Sequence, residues 1–195
     1  MDYKEKVLNN LDELQSLMIL LAHANNNSPI KGKLKLQKIM YLLADRIEEV
    51  KEQTSYEPDM LGPYSEVIDE ESNYLKDIGI FNATEGQISL TDQGIEVANE
   101  IEKKEKPEIK ELISDFKQFL NNLTSSELLC YVYSAYPEMT EESVEYNRLL
   151  PIMEDTILNL VKKQKISMGR AAELLNKKPD YVINRMKEKG IKVLS

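Results

Sequence analysis

Cysteine and histidine are almost absent from the 195 residues, with Cys130 and His23 the single representatives of each. One thiol excludes an intramolecular disulfide and a cysteine-rich zinc site by arithmetic. The two side chains lie far apart in sequence and support no nucleophile–base pair, and the spacings HExxH, CxxC, GxGxxG and GxxxxGK are missing. The 34 Asp and Glu offer many carboxylate pairs, but abundant acids usually form a solvated face. The chain is therefore expected not to be an enzyme, and no catalytic residue, cofactor or metal ligand is assigned. Long hydrophobic runs are lacking too: none reaches the roughly 18 consecutive apolar residues that span a bilayer. The opening Met1-Asp2-Tyr3-Lys4-Glu5-Lys6 is too polar and mixed in charge for a signal peptide. These absences predict a cytoplasmic protein with no membrane partner.

What is present is an ordinary folding composition, 42% hydrophobic and 30% charged, enough for one sizeable core or two small ones. The net charge of −9 argues against a polyanionic partner only as an average. Residues 160–195 hold ten Lys/Arg against Glu173, Asp180 and Glu188, a net of +7, so the rest of the chain carries −16. Such asymmetry predicts a different partner for the C-terminal segment.

Val7, Leu11, Leu14, Met18 and Leu21 fall on one stripe and predict a helix over about residues 4–24. A second helix, about 33–51, presents Leu36, Ile39, Met40, Leu43, Ile47 and Val50 inward and begins an outer face with Lys31, Lys35 and Lys38. Pro63 is placed to open a third, about 64–78, burying Val67, Ile68, Tyr74, Leu75 and Ile78, with Gly79 ending it. Residues 80–83 and 87–90 alternate as a small hairpin, and Thr91 caps a helix with Ile95, Ala98 and Ile101. This order suggests a winged-helix-like domain over residues 1–103. After a charged hinge at 103–107, a helical connector (104–148) includes Ile109 to Leu120 and a capping box of Thr124 with Glu127. Residues 149–195 form a basic, helix-turn-helix-like segment. The fold class expected is mainly α with one β-hairpin.

Lys35-Leu36-Gln37-Lys38-Ile39-Met40-Tyr41-Leu42-Leu43, Gly62-Pro63-Tyr64-Ser65 and Leu90-Thr91-Asp92-Gln93-Gly94 together resemble the Panacea (SocA-like) antitoxin domain over about residues 8–103. Ile166-Ser167-Met168-Gly169-Arg170-Ala171-Ala172-Glu173-Leu174-Leu175, followed by Gly190-Ile191, is similar to a small prokaryotic antitoxin family with an ISLGKAAEL-type sequence. The second resemblance implies helix-turn-helix DNA binding. Both imply regulation of a toxin or a promoter.

In the C-terminal segment Ser167 is placed to cap a first helix, Ala171, Ala172 and Leu175 to meet a second, Asn176 to turn left-handed, and Pro179 to open the second helix. There Val182, Ile183 and Met186 point inward, leaving Tyr181, Asn184, Arg185 and Glu188 outward. Asn184 and Arg185 suit base edges, and Lys177, Lys178, Lys187 and Lys192 suit phosphates. Duplex DNA is thus one expected partner, read by a homodimer on paired half-sites. The alternative is a solvated basic hairpin packed on the acidic body. In the N-terminal domain the helix in the recognition position carries Glu66, Asp69, Glu70 and Glu71, which a major groove would repel, so these are candidate protein-binding residues for a toxin or client. A non-DNA-binding adaptor is therefore the alternative function. The Lys31, Lys35 and Lys38 row is expected to be solvated or paired with those acids. Tyr131, Tyr133 and Tyr136 are expected in core or rim packing, with an aromatic docking surface as the alternative. Cys130 reads as a small buried hydrophobe, and His23 as a helix end.

Overall fold

The computed structural model describes residues 3–84 and 86–191. It is mainly helical, with one two-stranded antiparallel sheet. No helix among the described residues is long and apolar enough to cross a membrane. Two compact units divide the chain: residues up to 57 together with 63–122, and residues 58–62 together with 123 onward.

The first unit contains α1 (Tyr3–Leu8), α2 (Glu13–Asn27), α3 (Lys33–Ala44), α4 (Glu48–Lys51), α5 (Glu66–Asp77), β1 (Phe81–Thr84), β2 (Gln87–Leu90), α6 (Asp92–Lys104) and α7 (Pro107–Leu120). The single helix expected over 4–24 is broken. Asp12 accepts the Gln15 N–H at 2.7 Å while the Gln15 side chain accepts the Asp12 N–H at 3.2 Å, a capping box that starts α2 afresh. Leu14, Leu17, Met18, Ile19, Leu20, Leu21 and Ala22 are all buried, so α2 is apolar on most of its circumference and forms the unit's central rod. Asn25, Asn26 and Asn27 end it with φ of 57°, 58° and 56°, the left-handed region that asparagine tolerates better than most residues.

The second expected helix is also interrupted, since α3 stops at Ala44 and only the single turn α4 follows. Ser65, not Pro63, caps α5, accepting the Ile68 N–H. Its buried side is Ile68, Ser72 and Leu75, whereas Tyr74, expected in the core, is 42% exposed. The hairpin pairs Phe81 with Leu90 and Thr84 with Gln87, and Ile30 extends it by exchanging backbone hydrogen bonds with Ile88. Thr91 caps α6 as expected. Gly94 has a packing reason: a Cβ there would lie 2.3 Å from the Ile80 carbonyl oxygen.

The unit does not end at residue 103. Helix α7, which the sequence assigned to a connector, buries Ile113, Lys117 and Leu120 and packs on α2 and α3. Its apolar stripe announced a helix, but periodicity does not name the surface that covers a stripe.

The second unit contains α8 (Ser125–Ala135), α9 (Tyr146–Leu149), α10 (Met153–Lys162), α11 (Met168–Leu174) and α12 (Pro179–Glu188), with 3-10 turns at Pro137–Thr140 and Leu150–Ile152. The Thr124–Glu127 capping box starts α8. Leu128 to Tyr133 are all buried, making α8 the central rod here, with α10 and α11 packed on it. Cys130 is buried and burial pushes its thiol up; Tyr131 and Tyr133 lie in the core and Tyr136 is half-buried. Gly62, from the short segment 58–62, meets the Tyr133 ring so closely that a Cβ would lie 2.6 Å from it.

Candidate functional site

The Ser167 hydroxyl accepts the Arg170 N–H at 3.0 Å and starts α11. At its other end Asn176 turns left-handed (φ 50°), the Asn176 N–H reaches the Glu173 carbonyl at 3.0 Å and the Lys177 N–H reaches the Ala172 carbonyl at 2.9 Å. This is a Schellman closure, with Lys177 at the position that follows the left-handed residue. Pro179 then occupies the first turn of α12, whose missing N–H costs nothing there. Ala171, Ala172 and Leu174 of α11 and Val182 and Met186 of α12 are buried where the two helices pack. The same closure ends α12: Gly190 has φ 66°, and the Ile191 N–H reaches the Met186 carbonyl at 2.8 Å.

The outward face of α12 differs from the sequence expectation. Tyr181 and Arg185 are half-buried on the side turned to α10, where the Tyr181 hydroxyl donates to Glu154 at 2.9 Å and Arg185 Nε donates to Glu154 at 2.8 Å. A second Arg185 nitrogen meets Glu188 at 2.7 Å. Glu154 holds the Arg185 charge and pushes the Tyr181 hydroxyl up, while Arg185 pulls the Glu154 carboxyl down. Asp180, Asn184 and Lys187 instead form the exposed stripe, at spacings of four and three. Ile183, expected inward, is half-buried.

Charges in the basic segment divide into two groups. Lys163 pairs with Glu127, Arg170 with Glu173, Arg185 with Glu154 and Glu188, and Lys189 with Asp155. Lys162, Lys165, Lys177, Lys178 and Lys187 are exposed with no carboxylate partner among the described residues. Lys177 also lies 5.7 Å from the Tyr181 ring centre. Lys192 falls outside the described residues.

In the first unit the Lys31, Lys35 and Lys38 row is not a solvated face. Lys31 is exposed, but Lys35 and Lys38 are 7% and 1% exposed and donate to the backbone carbonyls of Asn121 at 2.5 Å and Pro63 at 2.7 Å. Beside them Gln37 donates to the Ser65 carbonyl at 2.8 Å and accepts the Ser65 N–H at 3.1 Å. The KLQK and GPYS stretches are thus two halves of one latch, in which long polar side chains satisfy a buried turn. A row of lysines read as polar gave no sign of this, because their acceptors are backbone atoms.

The four acids proposed for protein binding are not equivalent. Asp69 meets Lys33 at 2.9 Å and Gln37 at 3.4 Å, and Glu71 accepts from Gln15 at 2.7 Å, while Glu66 and Glu70 are exposed. Elsewhere in this unit a groove of about 670 Å³ is bordered by Leu11, Leu17, Ile47, Val50, Ile101 and Ile109. His23 sits where regular α2 geometry ends, Nδ1 2.7 Å from Asn27 Oδ1 and Nε2 3.5 Å from Glu102. No family model, curated protein or solved structure matches the chain.

Proposed function

We propose that the chain is a DNA-binding regulator of the antitoxin kind, acting through α11 and α12. The observation that carries this reading is the exposed Asp180, Asn184 and Lys187 stripe of α12, a helix packed on α11 and flanked by lysines without a carboxylate partner among the described residues. Asn184 stands on that stripe with a carboxamide whose N–H suits the N7 acceptor of adenine and whose oxygen suits its N6–H donor, and Lys177, Lys178 and Lys187 supply phosphate contacts. Tyr181 and Arg185 take a different role: through Glu154 they fix the roll of α12 on α10. Asp180 limits how closely the start of α12 approaches a phosphate, which favours entry centred on Asn184 and Lys187. A dimer reading half-sites one helical turn apart fits the same mode. In a binding assay on a selected site and on random duplex, Asn184→Ala is expected to cost about 1–3 kcal/mol on the former and little on the latter. Equal affinity of wild type for both duplexes sinks the base-reading claim.

A second reading, an adaptor that captures a toxin or client, is favoured by the groove of the first unit, whose apolar residues are interleaved with charged ones such as Asp12, Glu13, Glu49 and Lys104, and by the exposed carboxylates Glu66 and Glu70. It also accords with the Panacea-like stretches. The two readings are compatible, one in each unit.

A further inference from the structure

A cavity of about 270 Å³ in the first unit lies between the start of α3, one face of α5 and the hairpin. Gly32 and Lys33 border it from α3, Ser72, Asn73 and Lys76 from α5, and Gln87 from β2, while Phe81 and Ile88 supply its apolar wall. Gly32 stands before α3 with φ 94° and offers no side chain to cap it. The Lys33 and Leu34 N–H groups therefore have no acceptor among the described residues. With 12 residues, α3 brings the positive end of a full helix dipole to this border.

On α5 the residues Asp69, Ser72, Asn73 and Lys76 recur at spacings of three, one and three and so share a face. Ser72 is only 7% exposed, and its hydroxyl has no hydrogen-bond partner among the described residues. That hydroxyl is not sealed off. Among the described residues the side-chain atom both enclosed and unpartnered is Ser134 Oγ, so Ser72 Oγ keeps some access, and the cavity is the space it borders. No described carboxylate lines the cavity, and Asp69 on the same face is taken by Lys33 at 2.9 Å. Lys76 is exposed with no carboxylate partner among the described residues.

An uncapped helix start, an accessible hydroxyl nine-tenths withdrawn from water and an uncommitted ammonium converge on one small space that holds no described acid. A buried hydroxyl without a partner costs free energy, and an acceptor seated beside it recovers that cost. We propose that this cavity binds the phosphate group of a small phosphate-bearing molecule. A phosphate supplies three strong acceptor oxygens and a charge of about −1.5 to −2. The Lys33 and Leu34 N–H groups and the Ser72 hydroxyl take those oxygens, Lys76 adds charge, and Asn73 and Gln87 add amide donors at the rim. Glu66 and Glu70, exposed on the same helix, oppose an extended polyanion and favour a small ligand over the DNA backbone. The site shares no residue with the DNA-binding reading and does not depend on it.

The test follows the backbone amide resonances of Lys33 and Leu34 in the full-length protein during titration with inorganic phosphate or phenyl phosphate, against chloride at matched ionic strength. Saturable shifts with both phosphates and none with chloride are expected. Tighter binding of phenyl phosphate assigns the site to an organic phosphate resting on Phe81 and Ile88, and the reverse order assigns it to the free ion. Ser72→Ala should raise Kd roughly tenfold without lowering the urea midpoint, because the hydroxyl removed has no partner to lose in the unliganded protein. Lys76→Gln, at an exposed position, should raise Kd roughly two- to fivefold, and Lys187→Gln should leave it unchanged. The proposal is overturned if neither phosphate gives a saturable shift up to about 10 mM, ten times a millimolar Kd. Equal shifts in chloride, or an unchanged Kd in both the Ser72 and Lys76 variants, overturn it as well. So does a short duplex that shifts Lys33 and Leu34 more tightly than either phosphate, since the site would then belong to the DNA backbone.

Discussion

Lys117 links the core of the first unit to pH. Burial pushes its ammonium from the ordinary 10.5 down to about 8, while the Ala22 and Ala24 carbonyls favour the protonated form. At pH 7 the buried group is therefore charged in the folded protein. Between about pH 8 and 10.5 the folded protein has released this proton and the unfolded chain still holds it. Stability then rises with pH, because the unfolded state binds more protons. The contribution is fully present above 10.5 and is lost as pH falls through about 8. A displacement of this size has a ceiling of about 3 kcal/mol, of which about 2 kcal/mol falls between pH 7 and 9.5. Urea unfolding of wild type and Lys117→Met at several pH values isolates it, since other titrating groups cancel in the difference. Wild type should gain about 2 kcal/mol on the variant over that range. A difference that stays flat, or falls, would refute the assignment of a strained buried charge at residue 117.

Three further outcomes are expected. Gly94→Ala places a methyl against the Ile80 carbonyl and should lower stability by about 1–3 kcal/mol, read as a lower urea midpoint at unchanged slope; an unaltered midpoint would mean that the loop yields freely. Arg185→Ala should reduce affinity for a preferred duplex less than Asn184→Ala does, because Glu154 and Glu188 already occupy the guanidinium; the opposite ranking would show that Arg185 leaves them to read bases. Glu66→Lys with Glu70→Lys should weaken capture of a partner by the first unit in a pull-down, whereas undiminished capture would move the docking surface away from α5.

Much of the local chemistry was legible in the sequence. Thr91, Thr124 with Glu127, and Ser167 cap the helices they were expected to cap, and Asn176 and Pro179 shape the turn before α12. Each is a signal contained within a few residues, and local side-chain-to-backbone bonds do not depend on the rest of the fold. What stayed hidden were partners distant in sequence. Arg185 and Tyr181 suit an outward face until Glu154, some thirty residues earlier, draws them in. Lys35 and Lys38 were expected to be solvated or paired with acids, yet each, like Lys117, spends its charge on backbone carbonyls that no side-chain pattern displays. Helix lengths failed where a local cap competed with periodicity: Asp12 lies inside an unbroken apolar stripe, and its capping box with Gln15 ends one helix and starts another. The placement of α7 failed for a related reason, since Ile113 and Leu120 specify a covered face but not what covers it.

The most direct test of DNA binding through α11 and α12 is the salt dependence of duplex affinity, measured by fluorescence anisotropy for wild type and for Lys177→Gln/Lys178→Gln/Lys187→Gln. Each lost phosphate contact removes about 0.9 from the log–log slope, so the triple variant should flatten it by about 2.7 while keeping the wild-type unfolding midpoint. A wild-type chain that shows no salt-sensitive duplex binding even at low ionic strength, or a triple variant with the wild-type slope, would contradict the account and leave the adaptor reading in its place.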